Sequence, residues 1–306
     1  MRVVVTGGAG YIGTELVTQL ALIDSVEEII VYDNLSRGNY NLFLDYHFPN
    51  NDKVRFVRGD ILDTRKLGQI LEGAEIVYHL AANVTTPFAN MDPHFYEQVN
   101  SWGTAELVYA AEKAKVRKLI YTSSTSVYGA SDGIVDESAE RNPRTFYGIS
   151  KLRAENHLDT LNGKMDVNII RCGNVYGYSH SMRFDAVINK FAFEANFYSR
   201  ISIQGNGKQR RAFIHIDSVS KALAQLVHKE LPFGKYNLVE ENYQIMDIVD
   251  ALKIVKPELE FIFVDQHLKL RTMQVSTDLK IKEYIDVPPP KPLSDQLRQF
   301  MSHFSF

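Results

Sequence analysis

Apolar and polar positions along this chain alternate in blocks from the first residue onward. A run of valines, Val3-Val4-Val5, leads into Gly7-Gly8-Ala9-Gly10-Tyr11-Ile12-Gly13; an amphipathic stretch follows, and then Ile29-Ile30-Val31-Tyr32-Asp33. Unbroken apolar runs this short read as strands buried on both faces, so the opening predicts strand, turn, helix, strand. The same order continues with strands at 53–58, 77–80, 118–122 and 166–171, a helical pattern from Pro93 to Lys115 containing Asn100 and Gly103, and a helix after Pro143. Beyond these come helical patterns at 184–198, 218–229 and 244–255, strands at 201–203, 213–216 and 261–264, and a last helix after Pro288-Pro289-Pro290. Alternating strands and helices predict an α/β fold: a Rossmann-type doubly wound parallel sheet with a smaller, interleaved C-terminal α/β lobe.

The glycine stretch carries the first chemistry. Gly7 suits a tight turn, Gly10 lets backbone N–H groups approach a diphosphate, and Gly13 lets the new helix lie against the sheet with its N-terminus facing the anion. Asp33 follows Gly13 by 20 residues, where a carboxylate ending the second strand accepts from ribose hydroxyls and repels a 2′-phosphate. The expected cofactor is therefore NAD rather than NADP. The domain expectation follows: 1–173 for NAD binding, with part of 212–240 returning to it, and 174–306 as a substrate lobe across a crevice.

Composition narrows the partners. With 306 residues and 45% hydrophobic content the chain can bury a large core, and a net charge of -3 with a pI near 6.3 provides no overall attraction for nucleic acid or an anionic membrane. No apolar run reaches membrane-spanning length. The chain enters a strand at once and its one cysteine, Cys172, reads as a small core residue, so a reducing, cytoplasmic setting is expected. His79 lies beside apolar residues without a second ligand at metal spacing; it reads as structural, and no metal is expected.

Hydroxyls gather where the fifth strand should end, in Thr122-Ser123-Ser124-Thr125-Ser126. Tyr147 and Lys151 are spaced i, i+4, which projects both from one helical face. A tyrosine has an ordinary pKa near about 10, so its use as a base needs nearby positive charge, which a lysine ammonium and an oxidised nicotinamide supply. Ser124 would hold the reacting oxygen, Tyr147 would take its proton, and the reaction class is alcohol–ketone redox. Asp60 and Ile61 would meet an adenine, or Asp60 would cap a helix; Ala81 and Ala82 are small enough for a cofactor to pass. A basic turn, Gly205 to Arg211, again suggests phosphate: Arg211 is expected at the crevice, and Lys208 and Arg210 toward solvent.

Taken together, TGGAGYIG, DNLSRG, GDI, HLAA, VNSWGT, TSSTSVYG, YGISK and RCGNVYG resemble, in order and spacing, the extended short-chain dehydrogenase/reductases and, within them, the nucleotide-sugar epimerase/dehydratase family. The resemblance implies an NAD site lined by Tyr11, Ile12, Asp33, Asn34, Leu35, Ser36, Arg37, Gly38, Asp60, Ile61, Leu80, Ala81, Ala82, Asn83, Val84, Asn100 and Gly173. It implies Ser124, Tyr147 and Lys151 as the catalytic set, and Asn174, Arg211 and Arg271 as contacts to the diphosphate of a nucleotide sugar. It further implies a homodimer through the helices of 93–115 and 147–162. Family dehydratases carry an acid just after the catalytic hydroxyl; here Thr125 and Ser126 follow Ser124, which disfavours 4,6-dehydration. Tyr178, Ala212 and the run Met182-Arg183-Phe184-Asp185 with Asn189 and Phe191 also depart from common patterns, and the segment MRFDAVINKF is similar to a branch of bacterial surface-polysaccharide enzymes that includes 4-dehydrogenases acting on GDP-linked sugars. The resulting expectation is a C4 epimerase working through a 4-keto sugar, with a 4-dehydrogenase or ketoreductase as the alternative and a non-catalytic NAD sensor as the remote one.

Overall fold

The computed structural model describes residues 1–38, 48–84, 92–131, 133–265, 270 and 272–304. Its centre is a seven-stranded parallel sheet. The strands are β1 (Arg2–Thr6), β2 (Glu28–Asp33), β3 (Val54–Arg58), β4 (Ile76–His79), β5 (Lys118–Ser124), β7 (Asp166–Cys172) and β11 (Gly234–Leu238), in the spatial order β11-β7-β5-β4-β1-β2-β3. The apolar runs form strands because both faces are covered. Val3 and Val5 pack with Leu16, Val17 and Leu20 of α1 (Tyr11–Ala21) and with Val219 and Leu223 of α7 (Ile216–Gln225). Val4 and Ile30 face the other way, toward Leu67 and Leu71 of α2 (Thr64–Leu71), Leu107 and Ala111 of α4 (Gly103–Lys113), and Ala154 and Leu158 of α5 (Phe146–Asp159). Alternation within β1 thus separates two helical layers.

Because β2 and β3 lie to one side of β1 and β4 to the other, the connections diverge between β1 and β4. Ligands of open parallel sheets bind at that reversal, outside the carboxyl ends of the strands.

Most of the remaining elements form a second body. It contains a three-stranded sheet, β12-β10-β8, from β8 (Asn174–Tyr176), β10 (Arg210–His215) and β12 (Glu241–Gln244), and a pair of β9 (Arg200–Gln204) with β13 (Glu260–Val264). Ile201, Ile203, Phe213 and Tyr176 share a core with α6 (Val187–Tyr198), α8 (Ile245–Val255) and α9 (Leu293–Ser302). The small strands β6 (Ile134–Val135) and β14 (Gln274–Val275) pair separately. Chain segments cross between the bodies, since β11 completes the large sheet while β10 and β12 flank it in sequence.

Several boundaries differ from the sequence expectation. The helix expected over 184–198 begins at Val187, because Asn189 donates to the Arg183 carbonyl (2.9 Å) and accepts from the Gly177 N–H (2.9 Å), holding the preceding residues in a loop. The helix expected over 218–229 runs Ile216–Gln225. The pattern from Pro93 to Lys115 is helical but interrupted: α3 (Pro93–Tyr96) passes into a π-helical turn, Glu97–Trp102, before α4. Asp60 is not a helix cap; Asp63 caps α2, accepting from the Lys66 N–H at 3.1 Å. No helix among the described residues is long and apolar enough to cross a membrane.

Candidate active site

A cleft of about 460 Å³ opens at the sheet's reversal point, and most of the residues singled out from the sequence line it. Its floor is the turn after β1. Gly7 has φ 72°, and a Cβ there would lie 2.5 Å from the Ala81 nitrogen; at Gly13 it would lie 2.3 Å from the Gly7 carbonyl oxygen. Only glycine permits both the left-handed backbone and the close approach of helix to strand. Gly10 is the N-cap of α1 without a side-chain cap, which leaves the first N–H groups of that helix pointed at the cleft.

Asp33 ends β2 in the wall, its Oδ2 accepting from the Ala9 N–H (3.1 Å) and Oδ1 from the Leu35 N–H (2.8 Å). Burial pushes its carboxyl up from the ordinary range, and these N–H donors pull it back, so the group keeps lone pairs for further donors. Asp60 accepts from Asn34 Nδ2 (2.9 Å) and from the Leu62 N–H (2.9 Å), and lies in the wall with Ile61. Leu35, Ser36 and Arg37 continue this end. Gly38 stands just outside it, exposed, closing the turn with its N–H on the Leu35 carbonyl at 2.9 Å.

Leu80 to Val84, after β4, form the facing wall, and Asn100 holds them from behind. Its Oδ1 accepts from the Asn83 N–H (2.8 Å), while its Nδ2 donates to the Asn83 carbonyl (3.0 Å) and to Ser150 Oγ (3.0 Å). The amide thus pairs with a loop as a neighbouring strand would, and the π-helical turn positions it to do so. His79 braces the same turn. Thr104 Oγ1 donates to the Asn100 carbonyl (2.6 Å) and so accepts from His79 Nε2 (2.8 Å), which leaves Nδ1 to accept from Thr6 Oγ1 (2.8 Å). Burial holds the imidazole neutral, with its pKa down to about 3. The histidine is structural, as expected, and among the described residues no cluster could hold a metal ion.

Ser124, Tyr147 and Lys151 meet in this cleft. The Ser124 oxygen accepts from the Ser126 N–H (3.2 Å) and hydroxyl (3.0 Å), and Ser124 hydrogen-bonds to the Tyr147 phenol. Burial raises the phenol's pKa, whereas the Arg183 charge and Ser124 lower it. Lys151 is 2% exposed, donates from Nζ to the Thr122 carbonyl (2.8 Å) and lies over the Tyr121 ring at 4.6 Å. Desolvation brings its pKa down to about 7. One turn on, Glu155 is fully buried, held by Arg171 through two bonds of 2.9 and 2.7 Å and by Ser123 Oγ at 2.6 Å. This pair fixes α5 against the ends of β5 and β7. Cys172 is a core residue that also reaches the cleft; burial pushes its thiol up to about 12, so it is protonated and unreactive there.

On the far side, Gly173 and Asn174 line the cleft, and Asn174 Nδ2 donates to the Ala212 carbonyl at 3.0 Å. Arg211 is not in this wall: its Nη1 donates to the Arg210 carbonyl at 2.8 Å, and burial lowers its pKa. Lys208 is exposed, whereas Arg210 is half-buried like Arg211; the chain at Thr272 and Met273 lies against Arg210, whose N–H donates to Thr272 Oγ1 at 3.4 Å and whose carbonyl accepts from the Met273 N–H at 3.1 Å. Arg271 lies outside the described residues. Arg183, which the sequence reading noted as a departure but assigned no role, lines the cleft and acts on Tyr147.

A family model described as the NAD dependent epimerase/dehydratase family matches residues 3–238, and the chain belongs to that family. It is thereby an NAD-dependent enzyme, and the glycine turn, exposed N–H groups and Asp33 fit that cofactor. The chain is 34% identical to the dTDP-D-glucose 4,6-dehydratase of Mus musculus over 82% of its length and 71% of the relative's. It is also 34% identical to the UDP-glucose 4-epimerase of Mycolicibacterium smegmatis, over 74% of its length and 72% of the relative's. Among solved structures it resembles the UDP-glucuronic acid 4-epimerase of Bacillus cereus in complex with UDP-glucuronic acid and NAD, with a TM-score of 0.86, 25% identity and full coverage (100%) of both chains.

Proposed function

We propose that this chain is a nucleotide-sugar 4-epimerase that works through a 4-keto intermediate, in the supply of sugars for surface polysaccharide. The observation that carries this reading is the meeting of Ser124, Tyr147 and Lys151 with hydroxyls, not an acid, beside Ser124. Among the described residues the carboxylates lining the cleft are Asp33 and Asp60. Asp33 ends β2 and Asp60 follows β3, and β2 is three strands from β5, about 14 Å at the usual strand spacing, too far to eliminate water from a sugar at Tyr147.

The cofactor supplies reversible acceptance of a hydride. The protein's part is proton handling: Tyr147 takes the proton of the C4 hydroxyl while Ser124 holds that oxygen, and the charge of Arg183 favours the phenolate, with Lys151 in the same cleft proposed to add to it. With the cofactor bound, the same phenol would give the proton back to the C4 oxygen in the second half of the cycle, so that the overall change would be an inversion with no net redox. Asn174 and Arg211 are proposed to meet the substrate's diphosphate. Arg211 stands two positions from Phe213, the register partner of Asn174, about 7 Å along the strand. Arg271 is proposed on the family resemblance alone.

A homodimer is part of this reading. Trp102 (65% exposed) and Tyr109 (64% exposed) lie on one side of the π turn and α4, and Phe146 is exposed at the start of α5, an apolar surface suited to a two-fold partner. Light scattering that found only monomer at micromolar concentration would remove it.

The function is tested by incubating purified protein with UDP-, GDP- and dTDP-linked hexoses and uronates without added cofactor, and following C4 by NMR. Inversion at C4 without accumulation of NADH supports the epimerase. Stoichiometric NADH with a stable 4-keto sugar would make it a dehydrogenase, and a 4-keto-6-deoxy product a dehydratase.

A further inference from the structure

The run Met182 to Asp185 has no place in the chemistry above apart from the charge of Arg183. It does not join α6, and Arg183 from it lines the cleft. Arg183 grips Asp185 through two bonds, Nε to Oδ1 at 3.0 Å and Nη2 to Oδ2 at 3.3 Å, and from Nη2 it also donates to the Val84 carbonyl at 3.0 Å. Asp185 Oδ1 in turn lies 3.9 Å from Nη1 of Arg37. Arg37, Val84 and Arg183 all line the cleft, so a side chain of the loop after β2, a main-chain carbonyl of the loop after β4 and two side chains of the segment before α6 are joined at it.

The root of this segment is rigid. Asn189 is fully buried, and its Nδ2 donates both to the Arg183 carbonyl (2.9 Å) and to the Tyr11 hydroxyl (3.1 Å). The Tyr11 hydroxyl donates to the Gly177 carbonyl at 2.7 Å. Tyr11 is the first residue of α1, so one amide ties the segment to the helix end that faces the dinucleotide's phosphates. The upper part is different in kind. Asp185 stands between two arginines that repel each other, and all three side chains are partly exposed, at 19%, 28% and 35% for Arg183, Asp185 and Arg37. Ion pairs of this exposure are screened by salt, whereas the buried root is not.

We propose that Arg183 and Asp185 form a strap over the bound dinucleotide, closed by Asp185 between Arg37 and Arg183, and that it slows release of NAD so that one cofactor molecule serves both halves of the reaction. The proposal rests on the reading that the cleft holds NAD through a full cycle. Arg183 and Asp185 are here positioning residues for the cofactor.

The test is the rate at which NAD leaves the full-length holoenzyme, followed by displacement with a fluorescent NAD analogue. Asp185→Asn, which leaves two guanidinium groups without the carboxylate between them, should release NAD about tenfold faster or more at low salt, a change in off-rate with little in on-rate. Wild-type release should accelerate as salt is raised to about 1 M, where the Debye length is about 3 Å, and the variant's rate should be nearly flat. Arg183→Gln cuts the ties from the other end and should match Asp185→Asn; Arg298→Ala, at a surface pair with Asp295, should match wild type. If wild type holds NAD but both strap variants release it at the wild-type rate, the strap is overturned and the cofactor reading stands. If wild type binds no NAD, both fall.

Discussion

The two walls of this crevice are built on different principles. On the cofactor side the surface is main chain and small residues: the glycine turn, the first turn of α1, and the loop of Leu80 to Val84 held in place by Asn100. The facing side, proposed to receive the substrate, is made by longer side chains from separate strands and loops, with Asn174 at the cleft and Arg183 drawn across from the segment before α6, while Arg211 is set back from the wall on its neighbour's carbonyl. A main-chain site tolerates little variation, because its geometry comes from φ angles and close approach. A side-chain site can change its ligand by exchanging residues while the scaffold stays. The first wall therefore suits a ligand held by fixed main-chain geometry, and the second is the one whose specificity can be altered residue by residue.

The comparison breaks most visibly at the centre, which belongs to both walls. Tyr147→Phe removes the group proposed to move the proton and should lower turnover by about 10³-fold or more, with NAD binding unchanged; rapid-mixing assays and cofactor titration separate the two. Lys151→Met should lower turnover by about 10²-fold or more, and it should also stabilise the fold. In the native protein Lys151 titrates near 7, against about 10.4 in an unfolded chain, so between those values the unfolded state binds the extra proton and wild-type stability rises with pH. Below about 7 the burden of burying the ammonium is carried in full. The gain in melting temperature of Lys151→Met over wild type should be largest in acid and shrink toward pH 10. An equal gain at every pH would show that folding does not lower the pKa of Lys151.

Asp33→Ala sharpens the cofactor side. Losing charge-assisted contacts should weaken NAD by about ten- to a hundred-fold and narrow the preference over NADP, as measured by titration with each cofactor. Arg211→Ala tests the substrate side with the smallest expected effect, about tenfold in sugar-nucleotide affinity, with NAD affinity and melting unchanged and Lys208→Ala silent. Equal and small effects of both would take Arg211 out of the site.

How much of this was legible in the sequence follows the same division. The glycine spacing, Asp33 at a strand end and the Tyr147–Lys151 spacing are local patterns whose physics requires few other residues, and each stands where expected in the cleft. Arg183 was not assignable, because its importance depends on Asp185, Val84 and Asn189 meeting in space across segments distant in sequence. Arg210 is half-buried rather than solvent-facing because the chain near Thr272 and Met273, distant in sequence, lies against it, which a period of two does not reveal. The carboxylate of Asp60 could equally have capped a helix; only the placement of Asp63 at α2 decides it.

The π-helical turn at Glu97–Trp102 links an inner and an outer surface of the protein through phase. In an α-helix each residue advances the chain by about 100°, and a π turn accommodates one residue more than the regular winding does. Asn100, facing inward to the cleft loop, and Tyr109, facing outward on α4, therefore hold their mutual orientation only with that extra residue present. Deleting a single residue between Glu97 and Trp102 would restore a regular helix and turn one surface by about 100° against the other. Either the loop of Asn83 would lose its partner or the exposed aromatic face would swing away from its present direction, so the length of this one turn sets the alignment between catalytic pocket and outer face.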